Sequence, residues 1–253
     1  MKVFLLPLLL VLNKWLPPPP VAPAATPAGL QVRVRPVFGT EKLELETQPY
    51  PTATNGKVSV TTCRFYLSDL QLTYTDGSTY TEPRSYHLVD AGQEASQLIQ
   101  LPDAPRKALR RLRFSLGVDS TANVSGAQGG DLDPARGMYW AWHSGYVNAK
   151  LEGTCAVCPP PHREFSFHLG GFQKPYNSLR QVTLEVPARL ARQPELLVQA
   201  DVAAWLAQVA LASTNSVLIA GPAAQQQADA AVRMFSLMVP AGSRGEKAAI
   251  TVK

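Results

Sequence analysis

The chain has 253 residues, 45% of them hydrophobic and 17% charged, with a formal net charge of +5. That length and balance suit a globular protein with one large core and argue against a disordered chain. Two of the positive charges, Lys2 and Lys14, fall near the N-terminus, and the basic stretch RKALRRLR at 106–113 is interleaved with apolar residues, so nucleic-acid binding is not expected.

Residues 1–29 read as a signal peptide followed by a Pro/Ala-rich leader. Lys2 supplies the positive start, and the apolar run from Val3 to Leu12 is too short to span a bilayer. Small residues at Ala22, Ala24, Ala25 and Ala28 offer cleavage positions. No later segment is long and apolar enough to span. The expectation is a periplasmic or secreted protein with no stable membrane insertion once the signal is cleaved.

Beyond the leader, period-two alternation recurs. In LQVRVRPVF (30–38), Leu30, Val32 and Val34 share one face, and Gln31, Arg33 and Arg35 the other, which predicts a half-buried strand. CRFYLSDLQLTY (63–74) alternates through Cys63, Phe65 and Leu67, then changes phase to Leu70, Leu72 and Tyr74. A one-residue slip near Ser68-Asp69 is what a β-bulge produces. Asp76-Gly77 predicts a turn back to SYHLVD (85–90). RRLRFSLGVD (110–119) alternates with Leu112, Phe114 and Leu116 inward.

A polar loop follows, and then GMYWAWHSGYVNAKLEG (137–153). Read as one strand, this segment places Tyr139 and His143 on one face and Trp140 and Trp142 on the other. REFSFHLGGF (163–172) turns Phe165, Phe167 and Leu169 inward and sends His168 to the opposite face. RQVTLEVP (180–187) is a further strand. ELLVQADVAAWLAQV (195–209) reads as a strand, then Asp201 as an N-cap, then a short helix. AAQQQADAAVRMFSLM (223–238) predicts a second helix. The fold class is therefore all-β, an antiparallel β-sandwich or partly closed barrel of seven to nine strands with two short C-terminal helices. One β domain covers 30–240, and 241–253 reads as a flexible tail.

The cysteines are Cys63, Cys155 and Cys158. An exported chain can form disulfides, and an odd count leaves one thiol over. Proline follows Cys158 where a haem-attachment motif needs histidine. His162 gives a C-x2-C-x3-H spacing compatible with zinc, but a loop disulfide or free thiols is the preferred reading. No nucleophile elbow, phosphate loop or H-E-x-x-H helix is present, so no enzymatic activity is expected. Asp119, Ser120, Asn123, Asp131 and Asp133 make the loop before Gly137 oxygen-rich, which admits calcium as a lesser alternative, although the spacing is not that of an EF-hand.

The blocks VRPVFG (34–39), RFYLSDLQL (64–72), SYHLVD (85–90), RFSLGVDS (113–120), the long 125–153 segment, FSFHLGGF (165–172) and DVAAWL (201–206) resemble the MbnP-like family, in its Bacteroidetes-type branch. The resemblance implies an exported all-β protein that binds copper through histidines beside a tryptophan oxidised to kynurenine. It also implies a di-haem cytochrome c peroxidase-like partner that makes the modification. On this chain the implied ligands are His168 in FHLGG, His87 in SYHLVD and His143, and the implied oxidisable rings are Trp140 and Trp142. The alternative is a non-catalytic periplasmic or surface interaction module with the same fold and no metal.

Overall fold

In the computed structural model the described residues are 29–47, 49–140, 145–239 and, as backbone, 250–252. The strands, in chain order, begin with β1 (Leu30–Phe38), β2 (Glu41–Lys42), β3 (Tyr50–Pro51) and the long β4 (Lys57–Tyr74). Next come β5 (Thr79–Thr81), β6 (Tyr86–Asp90), β7 (Leu98–Leu101), β8 (Leu109–Leu116), β9 (Tyr139–Trp140), β10 (Gly145–Cys155) and β11 (Glu164–Gly170). The last are β12 (Arg180–Glu185), β13 (Glu195–Asp201), β14 (Ser216–Val217), β15 (Phe235–Leu237) and β16 (Ile250–Val252). Three α-helices accompany them, α1 (Ser120–Val124), α2 (Val202–Leu206) and α3 (Pro222–Ala231).

Two sheets face each other. The smaller runs β15-β13-β1-β2, with β7 also on β1; the larger runs β14-β11-β10-β4-β8-β12-β16. β4 organises the larger sheet. Arg64 and Phe65 pair with β6 on one edge and β10 on the other, while Gln71–Thr73 pair with β5 and β8. The sandwich expected from the alternation is the one found. It is not purely antiparallel, however: β1 runs parallel to β13, and β14 parallel to β11.

The phase change in β4 has the predicted cause. The register to β8 shifts between Ser68 and Gln71, and Asp69 takes φ 50°. The extra residue turns Leu70 back to the core after Leu67. Gly77 closes the expected turn at φ 84°, and the Asp76 carboxylate accepts the Ser78 backbone N–H at 2.9 Å.

The core between the sheets is built from the inward parity of each strand. Val32, Val34, Leu196 and Val198 from the smaller sheet meet Phe65, Leu67, Phe114, Leu151 and Phe167 from the larger. α2 starts as predicted, with the Asp201 side chain accepting the Ala203 N–H, and it seats Trp205 against Phe167 with ring centroids 6.2 Å apart. The second predicted helix is shorter than expected. α3 ends at Ala231, a 3-10 turn follows over Val232–Met234, and Phe235–Leu237 pair with β13 as a strand. Core demand overrides helix propensity here, because Phe235 stacks edge-on against both Phe65 and Phe114. The segment read as a flexible tail contributes β16, which pairs with β12.

The aromatic segment 137–153 is not a single strand. β9 and β10 pair antiparallel, Trp140 opposite Gly145 and Tyr139 opposite Tyr146. The chain reverses between them, so the face assignment drawn from continuous alternation does not apply across 141–144.

Candidate metal centre on the outer face

The face of the larger sheet turned away from the core has an apolar half and a polar half. The apolar half carries Tyr66, Leu88, Tyr146 and Val147, and the chain between Val118 and Trp140 folds over it as a cap. The Tyr66 hydroxyl donates to the Asp131 carbonyl at 2.8 Å, and the Tyr146 hydroxyl donates to the Leu132 carbonyl at 3.0 Å. Tyr146 also accepts the Gln128 N–H at 3.0 Å. The cap is thus fastened to the sheet by phenols whose rings are buried and whose oxygens are bonded to cap backbone.

Four of the oxygen-rich residues suggested for calcium are hydrogen-bonded within the cap or to the sheet beneath it. Asp119 caps α1 through Ala122 N and accepts the Tyr86 hydroxyl. Asn123 bonds Val118 O, Asp119 O and Tyr146 N. Asp131 accepts Leu88 N at 3.0 Å, and Asp133 accepts Ala135 N at 2.9 Å.

The polar half holds His168. Strand register places Asp90, Arg64, Lys150 and His168 in one rank across β6, β4, β10 and β11, with Thr62, Glu152 and Ser166 in the next. Arg64 bonds Asp90 at 2.8 Å. His168 Nε2 lies 2.6 Å from Glu152 Oε1 and 3.3 Å from Ser166 Oγ, and Lys150 Nζ stands 3.7 Å from the same carboxylate oxygen. Burial alone would raise the Glu152 carboxyl. Hydrogen bonds from His168 and Thr62, with the Lys150 charge, outweigh it and hold the group below its ordinary value.

Trp140 sits at the border between the halves. It is buried, and its ring rests on Gly170, where an added Cβ would stand 2.3 Å from the indole. Gly170 and His168 project to the same face of β11, two residues and therefore about 7 Å apart. One tryptophan and one histidine singled out in the sequence are thus neighbours on the outer face. Trp142 and His143 lie outside the described residues.

His87 does not join them. On β6, Tyr86 and Leu88 face outward, so His87 shares the parity of Val89, on the other side of the sheet from His168. Its Nε2 lies 2.8 Å from Glu82 Oε2, which also accepts the Ser85 hydroxyl at 2.6 Å. Among the described residues, no group of three or more His, Cys, Asp or Glu side chains is placed to hold a metal ion.

Cys155 and Cys158 form a disulfide, which removes the zinc reading of C-x2-C-x3-H. Cys63 is buried and free, and burial pushes its thiol up to about 12, away from thiolate chemistry. Neither histidine is wired for nucleophilic catalysis. Ser166 and Glu152 both meet Nε2 of His168, whereas a proton relay uses the two different ring nitrogens. In the other set the carboxylate, not the imidazole, stands between serine and histidine.

Sequence reasoning missed the two carboxylates that orient the histidines, Glu152 and Glu82. Glu152 was reachable in principle. Pairing KLEG with FSFHLG as a hairpin puts Glu152 opposite Ser166 and one step diagonal from His168, once register is known.

The family model for MbnP matches residues 27–220. Among solved structures, MbnP from Methylosinus trichosporium is similar at 16% identity over 66% of this chain and 75% of that one, with a TM-score of 0.48. No curated protein matches. With the family model spanning most of its length, the chain belongs to the MbnP family.

Proposed function

We propose that this protein is an exported binding protein, not an enzyme, and that it holds copper on the outer face through His168 beside Trp140. The observation that carries this reading is the 2.6 Å contact between His168 Nε2 and Glu152. A ring N–H given to a carboxylate fixes the tautomer and leaves Nδ1 as the lone-pair nitrogen. That is the usual support for a metal-ligating histidine. Imidazole nitrogen suits copper, and copper(I) accepts few donors.

The described residues fit the metal in part. They supply one nitrogen, its orienting carboxylate and an adjacent indole. The second donor is assigned to His143, which follows Trp140 by three positions in the sequence. His87, on the other side of the sheet, is not part of this site. A bound copper ion would supply one-electron redox chemistry next to an indole. Trp140 is accordingly the ring assigned to oxidation by a di-haem peroxidase-like partner, with Trp142 as the other candidate.

Export is supported by the leader and by the Cys155–Cys158 disulfide, a bond that persists in oxidising compartments. No helix of the described residues is long and apolar enough to cross a membrane. The second reading is a metal-free interaction module with the same fold.

Competitive copper(I) titration of the mature protein separates the two. The copper reading expects His168→Ala and His143→Ala each to weaken affinity at least tenfold, and His87→Ala to leave it unchanged. Equal affinity in His168→Ala removes the proposed ligand.

A further inference from the structure

Four of the chain's eight tyrosines gather on the outer face in one continuous array. Tyr139 and Tyr146 meet edge-to-face with centroids 5.0 Å apart, and Tyr146 meets Tyr66 at 6.0 Å. Tyr86 extends the array onto the neighbouring strand. It lies opposite Ser68, with Tyr66 opposite Leu88, so Tyr86 and Tyr66 are diagonal neighbours within reach of aromatic side chains. Tyr86 and Tyr139 are half-buried at the edges, while Tyr66 and Tyr146 are enclosed under the cap.

The four phenols differ in what their hydroxyls can do with a proton. Tyr66 donates to the carbonyl of Asp131, and Tyr146 to the carbonyls of Gly126 and Leu132. A peptide carbonyl does not take up a proton from a phenol. Tyr86 donates to a carboxylate, Asp119 Oδ2, at 2.5 Å. Asp119 is itself held in place, because its other oxygen caps α1 through Ala122 N at 2.9 Å. Within the array, the phenol that meets a carboxylate is Tyr86.

We propose that Tyr86 and Asp119 form a site of proton-coupled one-electron oxidation, at which oxidising equivalents entering the outer-face ring array come to rest. The oxidant is a one-electron acceptor of the metal-complex class. A phenol that loses an electron becomes a far stronger acid than a carboxylic acid. Loss of one electron from Tyr86 to the oxidant, or to an oxidised ring next to it, is therefore accompanied by transfer of its proton to Asp119. The products are a neutral Tyr86 phenoxyl radical and a protonated Asp119, with the oxidant or the neighbouring ring reduced by one electron. Tyr66 and Tyr146 lack such an acceptor, so an electron lost from either is replaced from Tyr86. The inference goes beyond the copper reading and does not require a metal bound to this chain.

The test is photochemical oxidation of the full chain by ruthenium(III) tris-bipyridine, generated by flash photolysis with persulfate, followed by freeze-quench electron paramagnetic resonance. All samples carry Tyr176→Phe and Tyr80→Phe to remove accessible phenols outside the array. The parent is expected to give a neutral tyrosyl radical, and Tyr86→Phe to reduce its yield at least fivefold. Asp119→Asn keeps an effective N-cap but removes the base, and is expected to reduce the yield to a similar extent. Circular dichroism and melting show whether each variant is folded. An undiminished radical yield in folded Tyr86→Phe, or in folded Asp119→Asn, overturns the proposal.

Discussion

The two faces of the larger sheet are made by the same strands and held by different physics. Inward residues such as Phe65, Leu67, Phe114 and Phe167 pack against the smaller sheet through apolar contact alone. Outward residues on the same strands, Tyr66 and Tyr146, also bury their rings, but each hydroxyl is bonded to a named backbone group of the cap. Apolar contact is non-directional and scales with area, so it sets how stable the sandwich is. The phenol bonds have direction, so they set where the cap sits, and with it where Trp140 meets Gly170. One face serves stability and the other serves placement.

Substitutions on the two faces separate these roles. The largest effect is expected at Phe235, fully buried between Phe65 and Phe114. Phe235→Ala should cost about 3–5 kcal/mol in urea denaturation and leave copper(I) affinity of the folded fraction unchanged. Tyr146→Phe should cost less, about 1–3 kcal/mol, because it leaves the Gln128 N–H without its acceptor. It should nevertheless change tryptophan emission, since the cap that carries Trp140 loses a fastening. If Phe235→Ala disturbs copper binding more than Tyr146→Phe does, the division between the faces is wrong.

The smallest effect belongs to Glu152, whose folded carboxyl is held below its ordinary value of 4.5. A depressed folded value means that the contribution is fully present above the unfolded value and is lost as pH falls through the folded one. In metal-free protein, the stability difference between the parent and Glu152→Gln should be present near pH 6 and be lost as the pH falls through the lowered folded value. Its size should be about 1 kcal/mol or less, as for a partly exposed pair. A difference that grows on acidification would contradict the assignment.

Much of the fold was legible because burial alternates on strands. The β4 bulge was visible as a change of phase between Leu67 and Leu70, and the Asp201 cap as a polar residue at the start of a helical pattern. The short strand at Phe235–Leu237 was not, because its residues are adequate helix formers and only the space between Phe65 and Phe114 decides their state. The parallel pairing of β1 and β13 was also hidden, since alternation carries no strand direction.

The site was legible to the level of parity. His168 faces outward as its alternation with Phe167 and Leu169 required. The contact of Trp140 with Gly170 depends on the reversal between β9 and β10, which a single-strand reading of 137–153 could not contain. The separation of His87 from His168 needed the sheet register. Histidine identity alone says nothing about which side of a strand it occupies.

The most direct measurement is copper-edge anomalous diffraction from crystals of the mature protein loaded with copper(I). The account predicts an anomalous peak on the outer face within bonding distance of His168 Nδ1, next to the Trp140 indole. A peak at His87 or His162 with none at His168, or no ordered peak at all, would contradict it.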